Sequence, residues 1–153
     1  MLTTPLAAAA PDLKGATLCL SPETTIFVMV EDGVPLKLTG LENQLYVELK
    51  KVLRTGAVTY QDATACSRSS ANLTLSLRVR PIQGSSALET QVSTRVQDST
   101  SPGATSWMGG EYRWSTVEYG KVSPGKAEVT AELLNGTRTS LSRLVNAWKA
   151  ANR

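Results

Sequence analysis

Four arginines and a cluster of aromatic side chains are the residues here whose types and spacing could do chemistry. Arg78 and Arg80 stand two apart in the run Asn72 to Pro81, Arg95 lies in the run that follows, and Arg113 comes further on. In extended chain a two-residue step puts side chains on one face, so these guanidinium groups would gather on one surface. Such a surface binds anions, whether nucleic acid, an acidic glycan or an acidic protein patch. The competing account is a solubilised sheet face, with Glu89, Glu111 or Glu118 as cross-strand partners. Trp107, Tyr112 and Trp114, followed by Tyr119, concentrate aromatic residues in one segment. They could stack on sugars or bases, or form a protein contact, for which Trp, Tyr and Arg are favoured. Strict alternation places Tyr112 with Trp114 on one face and Val117 with Tyr119 on the other, and one of those faces must be core.

Chemistry beyond gripping finds little support. Histidine is absent, which removes the commonest general base and transition-metal ligand. There is no G-x-S-x-G, phosphate loop or metal constellation. Glu31 and Asp32 are adjacent carboxylates, but Gly33 beside them makes an ordinary turn. Cys66, near Arg68, could be a reactive thiolate. Without a histidine, an inert thiol or a disulfide with Cys19 is the better expectation. Outside the cytoplasm the disulfide is expected, contributing ~3–4 kcal/mol in the chain-entropy model. The expectation is therefore no enzyme, no metal and no cofactor. The triplets beginning at Asn72 and Asn135 match glycosylation sequons, a pattern common by chance.

The elements that must position these residues are legible as periodicities. Leu73, Leu75, Leu77 and Val79 alternate with Thr74, Ser76, Arg78 and Arg80, and no helix gathers those four apolar groups on one side. Leu88, Thr90, Val92, Thr94 and Val96 repeat the pattern after a Pro/Gly/Ser connection, giving an antiparallel hairpin whose apolar face needs a cover. Thr17 to Leu20 reads as a short strand, and the apolar run Ile26 to Val30 as a central strand covered on both faces. Leu41 to Thr55 carries Leu41, Leu45, Leu49, Val52 and Leu53 on one helical stripe, with Thr39 and Glu42 at capping-box spacing and Gly56 as the stop. Ala57 to Asp62 returns as a brief strand, and a last strand segment spans about Thr105 to Val122, with Gly109-Gly110 as a turn or bulge. Lys126 to Ala151 is a long amphipathic helix in which Gly136 could introduce a kink. The economical packing is an α+β two-layer sandwich, a mostly antiparallel sheet of four to five strands with both helices on one face.

The 153 residues suit one domain, expected over 16–153 behind a flexible tail over 1–15. Net charge is +3 and pI about 9.0, weaker than the concentrated charge of a dedicated nucleic-acid binder. No run is long and apolar enough for a membrane span. Met1 to Pro11 ends in Ala7-Ala8-Ala9, the small-residue pattern cut by export peptidases, and reads as a remnant of a secretory signal.

The chain also resembles a loose set of small, exported, uncharacterised bacterial α/β proteins. The resemblance rests on Arg54-Thr55-Gly56 closing the first helix, the alternating run Leu73 to Val79, Tyr119-Gly120, and Trp148-Lys149-Ala150-Ala151-Asn152 at the end of the last helix. It implies an envelope location, no assigned activity and no catalytic residue to carry over. The resulting expectation is a non-enzymatic, periplasmic or extracellular interaction module or accessory subunit, with a protein partner that a second copy could supply. Its contact would use Arg78, Arg80, Arg95, Arg113, Trp107, Tyr112 and Trp114. The alternative is a cytoplasmic nucleic-acid-binding module using the same arginines, with Trp114 for stacking.

Overall fold

A computed structural model describes residues 13–62, 66, 70–98 and 112–153. Trp107, Arg68, Glu111, the Gly109-Gly110 turn and the expected signal remnant lie outside the described residues. In chain order the elements are β1 (Thr17–Leu20), β2 (Ile26–Val30), α1 (Leu41–Thr55), β3 (Tyr60–Asp62), β4 (Ser70–Pro81), β5 (Leu88–Asp98), β6 (Tyr112–Val122) and α2 (Lys126–Ala151). Both helices have the expected bounds, and α2 runs through Gly136 as one helix.

Among the described residues the sheet is six-stranded and mixed, which corrects the expected four to five mostly antiparallel strands. Its order is β3-β1-β4-β5-β6, with β2 also on β4. β4, β5 and β6 form the antiparallel half, whereas β1 and β2 run parallel to β4 and β3 runs parallel to β1. The physical reason is that β2 reaches β3 through α1, and a helical crossover returns the chain in its original direction.

β1 and β2 lie end to end along the same edge of β4. Thr17 to Cys19 pair with Ser70 to Asn72, and Ile26 to Val30 pair with Leu75 to Val79. Between them the chain leaves the sheet in a tight turn. There the Ser21 amide donates to Thr25 Oγ1 at 2.8 Å, and the Thr25 amide donates back to the Ser21 carbonyl at 3.0 Å. Cys19 is disulfide-bonded to Cys66, tying β1 to the segment that leads into β4.

One apolar cluster joins every layer. Leu73, Leu75, Leu77 and Val79 of β4 meet Leu41, Leu45, Leu49 and Leu53 of α1 and Val129, Leu133, Leu141 and Leu144 of α2. Leu13 belongs to it and is buried, so the span expected as a tail is anchored from there. The C-terminal end of α2 supplies the anchor. Trp148 Nε1 donates to the Ala16 carbonyl at 2.9 Å, Asn152 Nδ2 donates to the Leu13 carbonyl at 2.9 Å, and the Gly15 amide donates to Asn152 Oδ1 at 2.6 Å.

The two ends of α1 are closed by different means. Its N-cap is Gly40 at φ 84°, with no side-chain cap bond, so Thr39 and Glu42 form no capping box. Gly40 reaches left-handed backbone at little steric cost and turns the chain into the helix without a side-chain cap. At the other end the left-handed residue is Ala57 (φ 57°), not Gly56. The Ala57 amide donates to the Arg54 carbonyl and the Val58 amide to the Leu53 carbonyl, both at 3.0 Å, the bond pair of a Schellman motif. Gly56 is required for another reason: a Cβ there would sit 2.5 Å from Val145 Cγ1 of α2.

Candidate functional site

Among the described residues the helices cover one face of the sheet and nothing covers the other. β2 shows the consequence first. Ile26 is buried, but Phe27 and Met29 are 50% and 53% exposed, so this strand is not covered on both faces as expected. Its apolar run matches a strand that pairs on one side only and lacks a layer over Phe27 and Met29.

The register assigns the rest of the open face row by row. Phe27, Ser76, Ser93 and Val117 form one row, and Met29, Arg78, Gln91 and Tyr119 the next. On one side of these lie Thr74, Arg95 and Ser115, then Asn72, Gln97 and Tyr112; on the other lie Arg80, Glu89 and Lys121. Tyr119 is 68% exposed. Arg78, Arg80, Arg95 and Tyr112 are therefore brought together on this face.

Tyr112 and Trp114, expected side by side, are separated by a β-bulge. Val96 pairs with Trp114 and its neighbour Gln97 pairs with Tyr112, which leaves Arg113 as the extra residue of β6. A bulge shifts the alternation by one residue. Tyr112 consequently joins the open face, while Trp114, partly buried, packs against the apolar core. Val117 and Tyr119 share the face of Tyr112 rather than the opposite one.

Three of the four arginines are neutralised locally. Arg80 is bound to Glu89, Arg78 lies 3.5 Å from Glu31, and Arg113 lies 3.5 Å from Asp98. Arg95 differs. Its Nη1 donates to the Tyr112 hydroxyl at 3.1 Å and its guanidinium carbon lies 5.1 Å from that ring's centroid; it makes no ion pair among the described residues. It overlooks a cleft of about 630 Å³ lined by Phe27, Met29, Thr74, Ser76, Ser93 and Tyr112 among others. The floor is low because Thr74, Ser76 and Ser93 are short, and the rims stand higher because Phe27, Met29, Arg78, Arg95 and Tyr112 are long. Ser93 is 3% exposed and its Oγ has no hydrogen-bond partner among the described residues.

Sequence reasoning missed Phe27, Met29, Ser93 and Tyr119 as parts of this face. The apolar run Ile26 to Val30 carried no polar marker of an open side. The alignment of Ser76 with Ser93 needed the register.

A second polar cluster lies at the β3 edge. Tyr46 Oη donates to Asp62 Oδ1 at 2.6 Å, and Lys50 Nζ donates to Asp62 Oδ2 at 3.1 Å. Burial, then the bond to Asp62, pushes the Tyr46 phenol above its ordinary range; the Tyr46 and then the Lys50 bonds hold the Asp62 carboxyl below its own. Tyr46 and Lys50 are one helical turn apart, so α1 clasps the three-residue β3 with both. No group of three or more His, Cys, Asp or Glu among the described residues is placed to hold a metal, and no described helix is long and apolar enough to cross a membrane.

No protein-family model and no curated protein matches the chain. Among solved structures it is similar to an uncharacterised protein (TM-score 0.46, 9% identity, 86% of this chain and 97% of that one). It is also similar to a PelC dodecamer subunit from Paraburkholderia phytofirmans (TM-score 0.43, 13% identity, 83% and 90%). A third is a minor lipoprotein from Acinetobacter baumannii (TM-score 0.27, 12% identity, 80% and 85%). Likeness at these scores does not reach function.

Proposed function

We propose that this chain is a non-enzymatic, exported envelope protein that binds another macromolecule through the open face of its sheet. The observation that carries the reading is the row structure of that face. Phe27, Met29, Val117, Tyr119 and Tyr112 are exposed large side chains interleaved with Arg78, Arg80 and Arg95 on rigid strands. Aromatic and arginine side chains on a fixed frame are the composition of a contact surface. The Cys19–Cys66 disulfide supports export, since such bonds persist in oxidising compartments.

The competing reading, a nucleic-acid-binding module, is weakened by two features. Arg78, Arg80 and Arg113 are already paired with carboxylates, and Trp114 is packed against the core. The test is cross-linking of the intact protein in envelope extracts, comparing the native chain with a Phe27→Ser/Tyr119→Ser variant and an Arg138→Gln control on α2. The reading expects a discrete cross-linked product lost only in the face variant. Binding to any single-stranded DNA that collapses as salt rises would favour the other reading.

A further inference from the structure

We propose that the cleft over Thr74, Ser76 and Ser93 is a subsite for an acidic sugar, a hexuronate-type residue whose carboxylate docks on Arg95. The proposal rests on the macromolecule-binding reading above and names the chemistry of one contact within it.

Three observations converge on that ligand class. Among the described residues, Arg95 is the arginine of the open face whose charge no carboxylate offsets; Arg78 and Arg80 are held by Glu31 and Glu89. Its planar, five-donor head can donate to a carboxylate in bidentate fashion while keeping its place over the Tyr112 ring. The Ser93 hydroxyl is buried beneath the cleft floor and has no partner among the described residues, a state that native proteins seldom leave unanswered. A rotation of the Ser93 side chain toward the cleft would let a ligand hydroxyl or ring oxygen answer it, with Thr74 and Ser76 adding two more hydroxyls from neighbouring rows. The face of the Tyr112 ring that the Arg95 guanidinium leaves uncovered supplies the flat apolar surface for the C–H face of a pyranose. A ligand bearing one negative charge, several hydroxyls and an apolar face satisfies all three. A phosphodiester chain would place charges on a floor lined with neutral hydroxyls, and a neutral sugar would leave Arg95 unanswered.

The test titrates the full-length, disulfide-bonded protein with trigalacturonate, a neutral trisaccharide, triglutamate and a short single-stranded DNA. Calorimetry gives affinity, and amide chemical shifts give the location. Trigalacturonate is expected to bind with shifts confined to Thr74, Ser76, Ser93, Arg95 and Tyr112, and the neutral sugar about tenfold or more weaker. Arg95→Gln should cost about tenfold or more in affinity. Ser93→Ala should cost a few-fold, yet leave the thermal midpoint level or raised, because it deletes an unpaired buried hydroxyl. That split separates a ligand contact from a folding role. Arg138→Gln on α2 should leave affinity within about twofold.

No trigalacturonate binding, equal or tighter binding of triglutamate or DNA, or equal losses for Arg138→Gln and Arg95→Gln each overturn the assignment. The cross-linking assay is scored apart. A product that survives Arg95→Gln while trigalacturonate fails to bind rejects the sugar and retains the macromolecular contact. Sugar binding without a product dependent on Phe27 and Tyr119 does the reverse.

Discussion

Thr94 of β5 and Ser140 of α2 share a hydroxyl–hydroxyl hydrogen bond of 2.5 Å where helix meets sheet, and both residues are fully buried. Neither side chain fits its element's apolar pattern, yet each answers the other. Nearby, Thr137 Oγ1 donates to the Leu133 carbonyl one turn back at 2.7 Å. The buried face of α2 is thus partly polar, and a bonded hydroxyl pair can fix the position of α2 along β5 where apolar contacts alone would let it slide. Thr94→Val or Ser140→Ala alone strands one hydroxyl and should destabilise by about 1–3 kcal/mol, whereas the double substitution should cost less than the sum. A urea-melt double-mutant cycle measures the difference, and simple additivity would deny the coupling.

The close approach of α1 to α2 gives a second prediction. Gly56→Ala drives a methyl into Val145 and should destabilise by about 1–3 kcal/mol, with Val145→Ala recovering part of the loss in the double variant. One residue on, Ala57→Gly should stabilise by about 1 kcal/mol, because the left-handed conformation there burdens a side chain with a Cβ. Chemical denaturation of the three variants decides both, and a destabilised Ala57→Gly would contradict the Schellman geometry.

The Tyr46–Asp62–Lys50 clasp has a pH signature with a definite sign. Asp62 titrates lower folded than unfolded, so its contribution is present above the unfolded carboxylate pKa and is lost as pH falls through the folded value. Tyr46 is raised, so its contribution is present below the unfolded phenol pKa and is lost as pH rises toward the folded one. Asp62→Asn should flatten the acid limb of stability and Tyr46→Phe the alkaline limb, both measured by urea midpoints across pH. An Asp62→Asn acid limb as steep as the native one would contradict the assignment.

Reduction tests the covalent tie between β1 and the segment before β4. Cys19 and Cys66 are 47 residues apart, and opening a loop of that size should cost ~3–4 kcal/mol in the chain-entropy account. The urea midpoint should fall with reductant and match that of a Cys19→Ser/Cys66→Ser variant. An unchanged midpoint would leave the disulfide without a structural role.

Much of this architecture was legible in the residues, and the exceptions share a cause. Leu41 to Thr55 and Lys126 to Ala151 announce themselves because a helical stripe is local information. The alternation of Leu73 to Val79 likewise exposes β4. Strand direction is not local: the parallel placement of β1, β2 and β3 depends on where α1 delivers the chain, which no run of residues records. The bulge at Arg113 is equally silent, because period two says nothing about where one strand gains a residue on its neighbour. That single slip decided which aromatics face outward. Gly56 reads as a stop signal and is the C-cap of α1, but its second use, as a point of contact between helices, is visible only in the tertiary packing.

The anchoring of Leu13, Gly15 and Ala16 by Trp148 and Asn152 carries a mechanical consequence. Tension pulled on the backbone upstream of Leu13 is delivered first to the last turn of α2 rather than to β1. Part of any pull at that end of the domain is thereby carried by the helix layer before it reaches the sheet and its open face.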